Sequence, residues 1–262
     1  MPAVATPKMM AKKAMRKLNQ LRRALSPRSS EQGVHQFRVQ FKKTRALFRM
    51  ANAVEGGDGH RIKKSWKKVY SATGALRDAA IIMQMVGKEF EGESMVNYLL
   101  QKQEKLEQVL QGELARRKGF RLSGKPWKTF TAVALNAYFT QLLQPINTSF
   151  GLPIADRQLH EIRKNLKDFL YNLQWLDAMQ IVYPPVVAHI NIAAVEHLLL
   201  LLGNYQNEVV QSAALRRLKQ VPELHHAAKS IDDYLHHLAQ EQVRQHNEIL
   251  MALQHTFHLH TA

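Results

Sequence analysis

Apolar side chains recur every three or four residues along nearly the whole chain, and no stretch of useful length alternates polar with apolar. Val34, Phe37, Phe41 and Phe48 form one such stripe. Ile62, Trp66, Val69, Thr73 and Leu76 form a second, and Leu159, Ile162, Leu166, Phe169 and Leu173 a third. A chain patterned this way folds as packed helices, because a strand needs a period of two. Residues that end or begin helices divide it: Ser26-Pro27, Gly56-Gly57-Asp58-Gly59, Gly92, Gly119 to Pro126, Pro145 to Pro153, Pro184-Pro185 and Pro222. The spacing predicts eight helices over 8–25, 31–54, 60–89, 94–118, 126–144, 155–180, 186–220 and 223–258. The fold class is all-α: four helices, a linker of Gly, Lys and Pro, and four more.

The two halves also match in sequence. Val34-His35-Gln36-Phe37-Arg38 with Phe41-Lys42 matches Leu159-His160-Glu161-Ile162-Arg163 with Leu166-Lys167, 125 positions later. Gly74-Ala75-Leu76-Arg77-Asp78 matches Gly203-Asn204-Tyr205-Gln206-Asn207, 129 positions later. Near-equal offsets on equivalent helices indicate a duplicated four-helix unit. Repeat one covers about 8–118 and repeat two about 126–260, within a single domain over 1–262.

Charge is distributed unevenly. Of 37 Lys and Arg, 19 lie between Met1 and Arg77 against three acids, Glu31, Glu55 and Asp58. Beyond Arg77, 18 bases meet 18 acids, so the whole net charge of +16 belongs to the first 77 residues. Such a field opposes compaction unless a polyanion offsets it: nucleic acid, an inorganic phosphate polymer or an anionic membrane surface. With no cysteine, the chain has no disulfide scaffold, Cys-ligated metal or Cys nucleophile. Its longest apolar run, Leu198 to Leu202, is far shorter than the ~18 residues of a membrane span. No apolar signal-peptide core follows the N-terminal charges. A soluble, cytoplasmic protein is expected.

His35, Arg38, Lys42, Arg45 and Arg49 are spaced 3, 4, 3 and 4 apart and share one helix face. The Phe-rich stripe lies one residue earlier, a rotation of about 100°. The basic face therefore borders the core face, where it would line a groove between helices. His160, Arg163, Lys164 and Lys167 occupy the matching face of repeat two, with Tyr171 one turn on. The third helix adds Arg61, Lys63, Lys64, Lys67 and Lys68. Such side chains suit phosphate oxygens, Arg through paired donors and Lys as a mobile point charge. A histidine among them resists protonation when the site is empty and gains charge when a polyanion fills it.

These residues resemble the CHAD family, the helical domain named for its histidines, from about Met9 to the end. The resemblance rests on Val34-His35-x-x-Arg38-Val39 followed by Lys42, Lys43 and Arg45, and on Gly74-x-x-Arg77-Asp78. In repeat two it rests on Leu159-His160-x-x-Arg163-Lys164, Lys167 and Tyr171, and on Leu202-Gly203-Asn204. It implies two pseudo-symmetric four-helix bundles whose basic faces meet in a central pocket. It also implies binding of inorganic polyphosphate, through His35, Arg38, Lys42, Lys43, Arg45, Arg49, Lys64, Lys67, Lys68 and Arg77 in repeat one. His160, Arg163, Lys164, Lys167 and Tyr171 would serve in repeat two, and Asp78 would be a structural partner of the pocket cations. Repeat two departs from the pattern. Asn207 replaces Asp78, and Ile192, Ala193 and Glu196 stand where repeat one has Lys63, Lys64 and Lys67, so a lopsided pocket is expected. The Glu-x-Glu-x-Lys signature of the triphosphate-processing CYTH domain found in many relatives does not occur, which marks a stand-alone form.

Phosphoryl chemistry normally needs metal-holding carboxylates near the basic groups, and only Asp78 and Asp168 come close. There is no Gly-x-x-x-x-Gly-Lys-Ser/Thr loop and no Gly-x-Ser-x-Gly elbow. The tail is rich in histidine, but His255-x-x-His258-x-His260 lacks acidic or Cys partners, so neither metal nor cofactor is expected. The eight basic residues of the first 30 accompany Met10, Ala14, Leu18, Leu21 and Leu25, a bundle helix more than a transit peptide. Trp66, Trp127 and Trp175 read as core anchors. The expected function is binding of polyphosphate in a basic His/Arg/Lys pocket without catalysis. The alternatives are a nucleic-acid-binding protein, a polyphosphate-processing enzyme and an adaptor that docks on storage granules.

Overall fold

Helix α1 (Pro7–Ala24) starts at Thr6, whose side chain accepts from the Met9 N–H at 3.3 Å, with Pro7 in the first turn. The structure, a computed structural model, describes residues 5–25, 31–57, 59–90, 93–117, 119–122, 126–147 and 154–257. Several expected helix breaks (Ser26-Pro27, Asp58, Gly92, parts of 119–126 and 145–153), and His258 and His260, lie outside the described residues. The described chain continues as α2 (Glu31–Glu55), α3 (Lys64–Glu89), α4 (Glu93–Ala115), α5 (Ala132–Asn147) and α6 (Asp156–Met179). A single turn α7 (Pro185–Ala188), α8 (Ile192–Leu218), a 3-10 segment (Pro222–Ala227) and α9 (Ala228–Thr256) complete it. Among the described residues there is no strand, and the fold is all-α as expected.

The boundaries that moved have local causes. Helix α3 begins at Lys64 instead of 60 because the Asn52 side chain clamps the His60 backbone, accepting its N–H and donating to its carbonyl, both at 2.8 Å. Helix α5 begins after Thr131, whose hydroxyl accepts from the Ala134 N–H, and α8 after Asn191, which caps Ala194 in the same way. The expected helix 186–220 is thereby broken into α7 and α8. Pro145, expected to end a helix, lies inside α5. It falls in the last turn, so the ladder bond it removes lies next to the helix end and interrupts no further turns.

Helices α1 and α2 pack together, as do α5 and α6, and α2 and α6 pack on each other. Helices α3 and α8 lie against α2 and α6 respectively and touch one another, while α4 and α9 double back along α3 and α8. The core does not divide at the linker as two separate bundles would. One large apolar cluster joins Phe37, Phe41 and Leu47 of α2 to Leu166, Phe169 and Leu173 of α6. It takes in α3 as far as Ala72 and α8 as far as Tyr205. A smaller cluster joins the far ends of the two hairpins, through Ile82, Met85 and Leu99 on one side and Leu215, Leu224 and Ile231 on the other. Between the clusters, α3 and α8 carry polar residues.

Candidate functional site

A cavity of about 350 Å³ fills that polar gap. Helix α2 supplies Arg38, Lys42, Arg45 and Arg49, and α6 supplies His160, Arg163, Lys164, Lys167, Asp168 and Tyr171. Tyr70, Arg77 and Asp78 of α3 face Gln206 and Asn207 of α8. The rotation of the basic stripe beside the core stripe on α2 and α6 is what brings the cations here, since both helices bury their Phe and Leu faces in the large cluster.

Arg38 shows how the motif builds the site. Its guanidinium donates through Nη1 to the Tyr70 carbonyl at 2.8 Å and to Thr73 Oγ1 at 3.4 Å, and it lies 4.5 Å from the Tyr70 ring centre. That ring in turn stacks on Phe41 at 4.6 Å. A Cβ on Gly74 would stand 2.7 Å from Arg38 Nη1, so the glycine is what lets the guanidinium lie against α3. In repeat two Gly203 faces Arg163 more loosely, at 3.9 Å from Nη2. His160 donates through Nδ1 to Gln206 Oε1 at 2.7 Å, and Gln206 stands where repeat one has Arg77.

Charge in the cavity is poorly compensated. Arg49 pairs with Asp168, and Lys164 with Glu161 at 2.8 Å. Among the described residues, Arg38, Lys42, Arg45, Arg77, Arg163 and Lys167 have no carboxylate within ion-pair distance. Burial first, then repulsion from Arg163, Lys42, Arg77 and Arg38, pulls Lys167 down to about 7. Burial, then Arg38, Arg163, Arg77 and Arg45, pulls Lys42 down to about 8. Arg38, Arg45 and Arg163 are held below the usual arginine value, mainly by burial. Asp78 is pushed up by burial, against the pull of Arg38, Arg77 and Lys42. The Arg163 Nε is buried with no hydrogen-bond partner.

The cavity thus gathers eleven residues marked in the sequence: Arg38, Lys42, Arg45, Arg49, Arg77, Asp78, His160, Arg163, Lys164, Lys167 and Tyr171. His35 is exposed one turn before Arg38, where partial burial and the charges of Arg77 and Lys42 lower its affinity for protons. Lys43 lies over the Tyr171 ring at 5.6 Å, outside the cavity lining. Lys64 and Lys67 line a neighbouring cavity, and exposed Lys68 lines neither. Asp78 stands among the cations without a direct ion pair, whereas Asp168, weighed as a metal-holding carboxylate, is engaged by Arg49. Tyr70 was not singled out, although it precedes Gly74 by four positions and Arg77 by seven and so shares their face. No group of three or more His, Asp or Glu suited to a metal occurs among the described residues. No described helix is long and apolar enough to cross a membrane.

Residues 10–216 match the family model described as CHAD domain. No curated protein matches the chain. Among solved structures, the chain is similar to the crystal structure of the CHAD domain from the plant Ricinus communis, with a TM-score of 0.65. The two share 13% sequence identity over 96% of this chain and 92% of that one, a likeness of fold.

Proposed function

The chain belongs to the CHAD domain family, and we propose that it binds inorganic polyphosphate in the cavity between α2, α3, α6 and α8, without catalysing a reaction on it. The observation that carries this reading is the set of half-buried cations without carboxylate partners: Arg38, Lys42, Arg45, Arg77, Arg163 and Lys167. Like charges held together out of water cost folding energy, and a bound polyanion offsets that cost. Hydrogen bonds to charged groups are worth about 1.5–3 kcal/mol each. The row from Arg38 to Arg49 extends about 16 Å along α2, enough to engage several linked phosphates at once.

Nucleic acid is disfavoured by the aromatic groups. Tyr70 is already stacked on Phe41 and covered by Arg38, which leaves it unavailable as a platform for bases. Of the two carboxylates of the cavity, Asp168 is held by Arg49 and Asp78 stands among the cations without a direct ion pair, which leaves no matched pair of carboxylates for a metal. Calorimetric titration with polyphosphate, followed by challenge with duplex DNA or single-stranded RNA at equal charge concentration, tests the reading. Polyphosphate should bind and stay bound, at unchanged chain length with Mg²⁺ or Mn²⁺ present. Displacement by nucleic acid, or shortening of the chain, would overturn it.

A further inference from the structure

The central cavity shares Arg45 and Arg49 with a larger neighbour of about 610 Å³. Four more cations line that basin: Arg61, Lys63, Lys64 and Lys67, from the segment that enters α3 and from its first turn. Among the described residues, no carboxylate lines it. Its floor is fixed by His60, which is 2% exposed, stacks on Trp127 at 3.8 Å and contacts a Glu55 carboxylate oxygen through Nε2 at 2.7 Å. The other oxygen of Glu55 accepts from the Lys128 N–H at 3.1 Å, so this acid is used in holding the floor. The Asn52 clamp on His60 keeps residues 60–63 out of the helix and turns them into a wall.

A second neighbour of the central cavity is unlike this. It measures about 210 Å³, shares His160, Arg163 and Gln206, and contains the carboxylate of Asp156, which accepts from the Tyr205 hydroxyl. In repeat two the positions matching Lys63, Lys64 and Lys67 are Ile192, Ala193 and Glu196. A polyanion leaving the central cavity therefore meets Arg157 with the acid Asp156 on one side and, among the described residues, four cations with no lining carboxylate on the other. At the wall shared with the basin, Arg49 is paired with Asp168 and still 44% exposed, so it can receive a phosphate as the chain passes.

Building on the proposed binding of polyphosphate in the central cavity, we infer that a longer chain leaves it in one direction only, over Arg45 and Arg49, and lies in the Arg61/Lys63/Lys64/Lys67 basin. The basin makes affinity depend on chain length. Short oligomers use the central cations alone, and long chains add the contacts of the basin.

The test is a titration of the full chain with triphosphate and with a long polyphosphate, comparing two triple variants that each remove three positive charges from exposed positions. Lys63→Gln with Lys64→Gln and Lys67→Gln removes the three lysines of the basin and leaves Arg61. Lys102→Gln with Lys105→Gln and Lys229→Gln removes equal charge from α4 and α9, away from these cavities. The basin variant should lose about ten- to hundredfold in long-chain affinity, with its log–log salt slope shallower by about 2. Its triphosphate affinity should match that of the control variant. Equal losses of long-chain affinity in the two variants, or equal losses for triphosphate and long chain in the basin variant, would overturn the inference while leaving the central site standing. A wild-type chain that binds neither ligand would sink both. Circular dichroism of each variant confirms that the helices are intact.

Discussion

Lys167 and Lys42 carry the chemistry of the site in its least comfortable form. Both are half-buried among other cations, with values near 7 and 8 instead of the usual 10.4. Below about pH 7 both ammonium groups are charged before a ligand arrives. Above 8 each must take up a proton to meet a phosphate, so affinity should fall as pH rises through 7 to 8. Binding in that window should give heats that depend on the buffer's ionisation, and Lys42→Arg with Lys167→Arg should flatten the response, because arginine stays charged. Heats independent of buffer would refute this. For stability the sign is opposite. Unfolded lysine holds its proton up to about 10.4, so the unfolded chain binds more protons between 7 and 10.4. The cost is full below 7 and lifts as pH rises through that window. Lys167→Met should therefore raise the melting temperature of the ligand-free protein at pH 7, by about 1–4 kcal/mol of stability, while weakening polyphosphate binding. A lower melting temperature would show that Lys167 supports the empty fold. Gly74→Ala should move the Arg38 guanidinium and weaken binding about tenfold, as the loss of one charged hydrogen bond would. Gly203→Ala, whose Cβ would stand in ordinary contact at 3.9 Å from Arg163 Nη2, should be nearly silent. Equal effects of the two would mean that Gly74 does not position Arg38.

At the level of the helices, the apolar period was enough to find the long ones, and it placed the basic stripes of α2 and α6 on the cavity. Where helices begin was harder to read. The start of α3 depends on Asn52, eight residues before His60, and periodicity alone cannot see a side chain that clamps a distant backbone. The starts of α5 and α8 do have a local signal in Thr131 and Asn191, weaker than the Pro and Gly breaks that precede them. The same limit applies to the site. Arg38, Lys42, Arg163 and Lys167 repeat at one register and were legible. Lys64 and Lys67 looked like part of the central pocket because helical spacing fixes a face and says nothing of which cavity that face meets. Asn52→Ala tests the clamp. It removes both hydrogen bonds to His60 and should cost about 1–3 kcal/mol in chemical unfolding. An unchanged midpoint would mean that the entry to α3 is set elsewhere.

Across the whole molecule, the apolar core is shared by the two halves, and the cavity lies between the large cluster and the smaller one at the hairpin tips. The Trp175 indole of α6 donates to the Lys43 carbonyl of α2 at 3.0 Å, so even the backbone of the basic helix is tied to the other half. That shared frame holds cations from both halves face to face, which neither half could do alone. The net charge of the first 77 residues makes the competing explanation concrete, because a diffuse basic surface would also attract polyphosphate. Arg38→Glu and Lys12→Glu change net charge by the same two units, but Arg38 lines the cavity and Lys12 is exposed on α1. Polyphosphate affinity at physiological salt, where a surface charge is screened within ~8 Å, separates the two. Arg38→Glu should weaken binding at least about ten- to hundredfold, Arg163→Glu should follow it, and Lys12→Glu should cost less than about fivefold. Equal weakening by Arg38→Glu and Lys12→Glu, in variants of unchanged helicity, would contradict a binding cavity and leave only a basic surface.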